Sequence, residues 1–386
     1  VLREFSAPRP DWREKCDAAG FTFHSQDGIP YWDESVRFRF TLDQIENDIE
    51  GPSQELLALC YAAVEALVGD EQALTRLAIP RDFWPAIAES WRLKDRDLYG
   101  RFDLAYDGKG PAKLLEFNAD TPTALLESAV VQWQWLEDLQ AAGRLSSDAD
   151  QYNSIHESLI AALGRMDLDH RLYLAATADN EEDQATILYL ADCTAQAGLE
   201  PVIIAIEQIG VDARGRFTDL QDRIIRSLFK LYPWEWMAHE AFGRHTLARP
   251  CQFIEPVWKM LLSNKGLCAE LWRLNPGHPN LLPCFHEGDP AAASLGPAVV
   301  RKPLLSREGA NIEIRHGARV TAATGGPYAG PAILQAAGPV FHDQGRTAIL
   351  GSWVVAGQAC GLCIREEDGA ITTNRARFIP HYIQDL

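Results

Sequence analysis

Polar and apolar residues alternate along Arg101-Phe-Asp-Leu-Ala-Tyr106, and again along Leu115-Glu-Phe-Asn118. Asp107-Gly-Lys-Gly110 lies between them as a strong turn signal, so the pattern predicts a two-stranded hairpin. Side chains alternate across a strand. Arg101 and Asp103 therefore share one face, with Phe102, Leu104 and Tyr106 on the other. Glu116 and Asn118 likewise share a face opposite Leu115 and Phe117. A turn with an even number of loop residues places the four polar groups on one side of the sheet. Leu114 breaks this alternation. One cation, two carboxylates and one amide on a common face suit Mg²⁺, which is held by one or two carboxylates together with substrate phosphates. A half-buried hairpin with a solvated face has the same alternation, and at this level both readings stand.

The rest of the chain divides by pattern. Residues 1–50, rich in aromatics and charge, read as irregular. A helix is predicted from about Ser53, as its N-cap, to Leu67, closed near Gly69. Thr121 and Pro122 read as the N-cap and first position of a helix reaching Gly143. Free N–H groups at that helix start would favour an anion beside Asn118-Ala-Asp-Thr121. A polar boundary at Ser146–Asn153 follows. Beyond it come a helix near 154–163, an apolar run at Arg171–Thr177, a helix over Glu181–Ala197 and the run Pro201–Ile206, the succession of a βαβ unit. A further helix is predicted near Asp219–Lys230, and another over 258–274. Residues 275–297 are rich in Pro and Gly, and strands then dominate to the C-terminus. The expected segments are 1–150, 151–255, 256–345 and 346–386.

Composition narrows the function classes. A chain of 386 residues with 47% hydrophobic and 23% charged residues is globular and too long for one ordinary core. No apolar run is long enough for a membrane span, and the first residues lack the apolar core of a signal peptide. A cytoplasmic protein without membrane partners is the expectation. The net charge of −18 argues against nucleic acid, whose binding needs a basic surface. It favours the approach of a cationic substrate such as an amine, although acidity also serves solubility alone. Of the eight cysteines, only Cys360 and Cys363 form a CxxC, and they lie in a likely strand with no second ligand pair nearby. Reduced core thiols are expected.

Several cations recur in phosphate-friendly settings. Lys302 stands on an apolar strand before the small-residue loop Ser306-Arg-Glu-Gly-Ala-Asn311. A lysine so placed reaches phosphates as a point charge, and the N–H groups of such a loop cradle them. Lys259 and Lys265 follow Val257-Trp258, and Arg365 ends a strand where it would stabilise charge on a transferring phosphoryl group. Each is equally a solvated side chain when taken alone. No GxSxG, HExxH or dinucleotide fingerprint is present.

Together these pieces resemble the glutathionylspermidine synthase family, specifically its ATP-dependent synthetase domain. The segments that carry the likeness span nearly the whole chain: YGRFDLAYDG, LLEFNADTPT, FTDLQD, LFKLYPWEWM, VWKMLLSNK, NLLPCF, VVRKPLLSREGAN, LGSWVV and IREE. The likeness is to stand-alone acid–amine ligases without the amidase domain of the bifunctional enzymes, and no such domain is expected here. The resemblance implies a mixed α+β and α/β chain: a circularly permuted ATP-grasp fold with an accompanying βαβ substrate-side domain. It implies ATP and Mg²⁺ as cofactors, and small-molecule acid and amine substrates joined through an acyl-phosphate. Asp103, Glu116 and Asn118 are implied as Mg²⁺ ligands, and Arg101 and Arg365 as catalytic cations. Lys265 and Lys302 are implied as phosphate ligands, Arg307 and Gly309 as parts of the closing loop, and Gln335 as the adenine segment. Relatives often carry a second Gln where this chain has Ala336, which leaves the adenine contact mostly to backbone. Thr121 and Thr123 are implied on the acid side, and Glu181 and Glu182 where the amine is received. A non-ligating ATP-binding regulatory protein and an ATP-grasp phosphotransferase remain as alternatives.

Overall fold

The computed structural model describes residues 1–26 and 28–385. At its centre is an antiparallel sheet built from the hairpin strands Tyr99–Ala105 and Lys113–Asn118 and the C-terminal strands Arg346–Val355 and Gln358–Asp368. The short strands Phe341–Asp343 and Arg377–Phe378 extend it. Strand Arg346–Val355 pairs with Tyr99–Ala105, so segments more than 200 residues apart form one surface.

The hairpin register explains the misfit of Leu114. Arg101 faces Asn118 and Asp103 faces Glu116, but Leu104 faces Leu114. Leu115 is therefore a bulged extra residue, and the bulge returns Leu114 to the apolar face. There Phe102 and Phe117 stack with centroids 4.0 Å apart, within a core that includes Leu56, Leu104, Leu114, Leu271 and Leu350. The four polar side chains are left together on the opposite face.

The βαβ expectation holds. Strands Arg171–Ala176 and Glu200–Ala205 are parallel and flank helix Glu181–Gln196. Strands Ser227–Lys230 and Gln252–Ile254 complete a four-stranded parallel sheet. This corrects the helix predicted near 219–230. Ser227–Lys230 is buried along its whole length, and a short apolar run buried on both faces carries no period that separates strand from helix. A third sheet takes in Cys284–His286, Ala298–Pro303, Glu313–His316, Arg319–Ala323 and Ala332–Ala336.

Other boundaries also move. Residues 1–50 are not irregular: Leu2–Phe5 and Val36–Phe40 pair with each other, and the latter pairs in parallel with His381–Ile383. Ser53 is not an N-cap. It lies inside a longer helix, donating to the Ile49 carbonyl (2.6 Å) and accepting from Ser352 Oγ (2.7 Å). The helix expected at Thr121 starts at Leu125, because Ala124 adopts φ +67° and Thr121–Ala124 runs as an irregular loop. The 258–274 helix is interrupted before Gly266, and Lys265 sits at the break. Among the described residues no helix is long and apolar enough to cross a membrane.

Candidate active site

Three sheets converge on two adjoining cavities. The first, of about 250 Å³, is lined by the polar face of the hairpin, by Lys265 and Lys302, by the loop through Gly309, and by Arg365. The second, of about 230 Å³, opens among Tyr31, Glu182, Asp183 and Trp236. Thr121, Thr123, Arg307, Glu308 and Arg365 line both.

The first cavity is held together by opposed charges. Arg101 Nε donates to Asp103 Oδ1 at 2.9 Å, its Nη1 donates to the Thr123 carbonyl at 2.5 Å, and Arg365 also pairs with Asp103. Arg101 fits because Gly351 lies beside Asp103 in the next strand. A Cβ there would stand 2.8 Å from Arg101 Cδ and 2.4 Å from Cys363 Sγ. Lys265 Nζ lies 2.6 Å from Glu116 Oε2 and donates to the Ser306 carbonyl at 2.5 Å. Burial opposes the charge on Glu116, yet Lys265 and Lys302 hold its carboxyl well below the usual range. Lys302 is buried, donating to Gln335 Oε1 (2.7 Å) and the Leu115 carbonyl (3.0 Å). Burial lowers its pKa against the pull of Glu116.

The loop after Lys302 is anchored across the cavity. Arg307 donates to Thr121 Oγ1 at 2.6 Å and to Glu235 Oε1 at 3.1 Å. Gly309 has φ +67°, and a Cβ on it would fall 2.2 Å from the Thr372 carbonyl, so this turn needs glycine. Four polar groups lining the cavity are buried without a hydrogen-bond partner: Asn118 Nδ2, Ser263 Oγ, Arg365 Nε and Thr372 Oγ1. Buried polar groups are normally paired, so four orphans around one cavity mark it as a place for a polar ligand.

Among the described residues no three His, Cys, Asp or Glu side chains gather as a metal cluster. A Mg²⁺ site that keeps phosphate ligands does not require one. Asp103 and Glu116 are direct cross-strand neighbours, with Asn118 two residues further on. The carboxylates of Asp103 and Glu116 and the amide oxygen of Asn118 are the oxygen donors a hard cation takes, whereas the unpartnered Asn118 Nδ2 is a donor that suits a phosphate oxygen.

The second cavity is acidic. Helix Glu181–Gln196 begins at Asn180, whose side chain accepts from the Asp183 N–H at 3.1 Å. This start points Glu182 and Asp183 into the cavity. Burial, and then Glu182, push Asp183 up to about 7. Burial raises Glu182 as well, against the pull of Thr123. Trp236 and Tyr232 form an aromatic lip, with Arg307 5.8 Å from the Trp236 ring.

Three residues singled out in the sequence lie elsewhere. Lys259 is buried away from both cavities, donating to the Tyr99 carbonyl at 2.7 Å and to Glu255 Oε2 at 2.6 Å. Glu181 is exposed and accepts a hydrogen bond from Thr22 Oγ1 at 2.6 Å, because the helix turns it away from its neighbour. Gln335 is buried behind the first cavity, where it accepts from Lys302 and donates to the Leu114 carbonyl at 3.1 Å. The remaining candidates line one or both cavities. Sequence reasoning missed Glu235, Ser263, Asp183 and Tyr31. Glu235 stands within the quoted LYPWEWM and Ser263 within VWKMLLSNK, so both lay in segments already marked.

The fold and its cavities now meet known proteins. A family model described as "Glutathionylspermidine synthase preATP-grasp" matches residues 3–384. The chain belongs to the glutathionylspermidine synthase family. It is 40% identical to the "Putative acid--amine ligase" of Haemophilus influenzae, over 97% of each chain. It is 27% identical to trypanothione synthetase of Crithidia fasciculata, matching 80% of this chain and 51% of that one. It is 22% identical to the bifunctional glutathionylspermidine synthetase/amidase of Escherichia coli, matching 96% and 63%. The chain thus spans about half of the one and under two thirds of the other. A glutathione synthetase-like effector of Globodera pallida superposes with a TM-score of 0.58 at 9% identity, over 97% of this chain and 96% of that one. That likeness is one of fold, and the mixed α/β architecture is consistent with an ATP-grasp-like chain.

Proposed function

We propose that this protein is an ATP-dependent acid–amine ligase of the glutathionylspermidine synthetase type, forming an amide through an acyl-phosphate and releasing ADP. The observation that carries the reading is the pairing of one cation-rich cavity with one acidic cavity, joined at Thr121, Thr123 and Arg365. In this reading the fold is a circularly permuted ATP-grasp, with the metal-side hairpin ahead of the lysine-bearing strands. Residues 1–150 and 346–386 form its core, 256–345 its nucleotide side and 151–255 the substrate side.

Lys265, Lys302 and the backbone of the Ser306–Gly309 turn would take the nucleotide phosphates, and Arg101 and Arg365 the acid carboxylate and its developing charge. Mg²⁺, held by Asp103, Glu116 and Asn118, supplies further charge neutralisation on the transferring phosphoryl group. The carboxylate oxygen attacks the γ-phosphorus and ADP leaves. The amine, drawn into the acidic cavity by Glu182 and Asp183, then attacks the acyl carbon and expels phosphate. Thr121, Thr123 and Arg307 close the passage between the two halves, which limits hydrolysis of the intermediate.

The test is phosphate release with ATP and Mg²⁺ over a matrix of acids and amines, beginning with glutathione, short peptides and polyamines, together with a hydroxylamine trap. Release that requires both substrates, and hydroxamate formed from the acid alone, support the reading. ATP bound without turnover, or phosphate passed to a hydroxyl, contradicts it.

A further inference from the structure

One buried acid beside the second cavity has no place in the scheme above. Glu127 lies in the first turn of the helix that follows Ala124, at the start of a π-helical stretch, Glu127–Val131. It is 1% exposed. Among the described residues its one side-chain hydrogen bond comes from Tyr31, whose Oη donates to Glu127 Oε1 at 2.8 Å. Tyr31 itself lines the acidic cavity with Thr123 and Glu182. Tyr31 thus links the cavity wall to the buried Glu127 carboxyl. π-turns and a left-handed alanine immediately upstream are backbone features that gather at functional sites.

The ligase reaction needs such a path. An alkylamine is an ammonium ion at neutral pH and has no lone pair to attack with. Glu182 and Asp183 attract that ion and thereby stabilise its protonated form, so attraction alone works against the chemistry.

We propose that Tyr31 and Glu127 are the relay that removes the proton from the incoming amine, Tyr31 touching the nitrogen and Glu127 acting through Tyr31; this rests on the ligase reading. As the nitrogen gives a proton to Tyr31 Oη, the tyrosine's own proton passes to Glu127. The freed lone pair forms the C–N bond to the acyl carbon. The bond from that carbon to the phosphate oxygen breaks, its electron pair leaving with phosphate, and the second N–H proton goes to the phosphate. An ammonium, an acyl-phosphate and a carboxylate thus become an amide, hydrogen phosphate and a carboxylic acid. Glu127 returns its proton to solvent as product leaves.

The groups facing Glu127 suit the task. Burial and then Glu182 push its carboxyl up to about 8, while Tyr31 and Arg101 pull it down. A cation seated in the cavity would add to that pull and favour the ionised acid. A base poised near the working pH is the effective kind.

The test compares two nucleophiles in Glu127→Gln and Tyr31→Phe. Glutamine keeps the acceptor oxygen for Tyr31, and thermal melting of both variants checks the fold. With ATP, Mg²⁺ and glutathione, hydroxylamine is mostly unprotonated at neutral pH and needs no relay, whereas spermidine does. We expect hydroxamate formation within about threefold of wild type, and amide formation with spermidine reduced by about 10²-fold or more in both variants. The residual amide rate should climb by nearly tenfold per pH unit above neutrality, as the free amine does, with a flatter wild-type profile. Equal losses with both nucleophiles, or an unchanged amide rate, would overturn the relay and leave the ligase reading intact. No hydroxamate from the wild-type protein with glutathione or the other screened acids would overturn both.

Discussion

The two cavities share a wall and differ in how their charges are arranged. In the first, Arg101 and Arg365 flank Asp103, and Lys265 faces Glu116. Each ion is balanced by its opposite, which is how buried charge is tolerated. In the second, burial raises both Glu182 and Asp183, with Glu182 adding to the rise at Asp183 and Glu308 to that at Glu182. Like charges brought together by a fold are costly and lack a structural purpose of their own. Perturbed groups of that kind concentrate at functional sites. The first cavity is thus held by paired charge, whereas the second gathers raised acids that, on the ligase reading, a cationic amine would balance.

The largest expected effect is on the first cavity. Glu116→Ala and Lys302→Ala should each reduce ATP-dependent phosphate release by about 10²–10³-fold, the usual cost of one well-placed electrostatic group. Near-normal turnover in either would dissolve the contrast. Next comes Glu182→Gln, which removes a charged partner worth about 1.5–3 kcal/mol, or about 10- to 100-fold in kcat/KM for the amine. Hydroxamate formation should survive it, and equal loss of both activities would place Glu182 on the acid side instead.

A smaller effect concerns stability. Asp183 is raised from 3.8 to about 7 by burial and Glu182. The folded state then holds the proton that the unfolded state releases, so stability falls as pH rises through that window. Thermal melting should show wild type losing ground to Asp183→Asn between about pH 4 and 7, with the difference constant outside it. Parallel curves throughout would mean that Asp183 titrates normally. The smallest effect belongs to Glu181→Gln, whose side chain is exposed and bonded to Thr22. Its activity and stability should stay within about twofold of wild type, and a large loss would return Glu181 to the cavity.

The sequence made the hairpin readable because a period of two fixes which side chains share a face, and the Asp107–Gly110 turn fixes the pairing. The misfit of Leu114 marked a break in that period, but only the register shows that a bulge at Leu115 is its cause. The βαβ unit was readable from its alternation of runs, but Ser227–Lys230 was not, since burial on both faces erases periodicity. The acidic cavity was half-readable. Glu181 and Glu182 are neighbours in sequence, and only the helix phase, set by Asn180, decides which turns inward. Tyr31 was hidden in a stretch that looked irregular, and Glu127 was one acid in an apolar helical run. Its isolation there was the available clue.

The central claim is that the acid is activated as an acyl-phosphate in the first cavity before the amine arrives from the second. The most direct test supplies an acid labelled with ¹⁸O in its carboxylate and analyses the released phosphate by mass spectrometry. One ¹⁸O transferred into each phosphate is the predicted result. Unlabelled phosphate formed alongside the amide would contradict it.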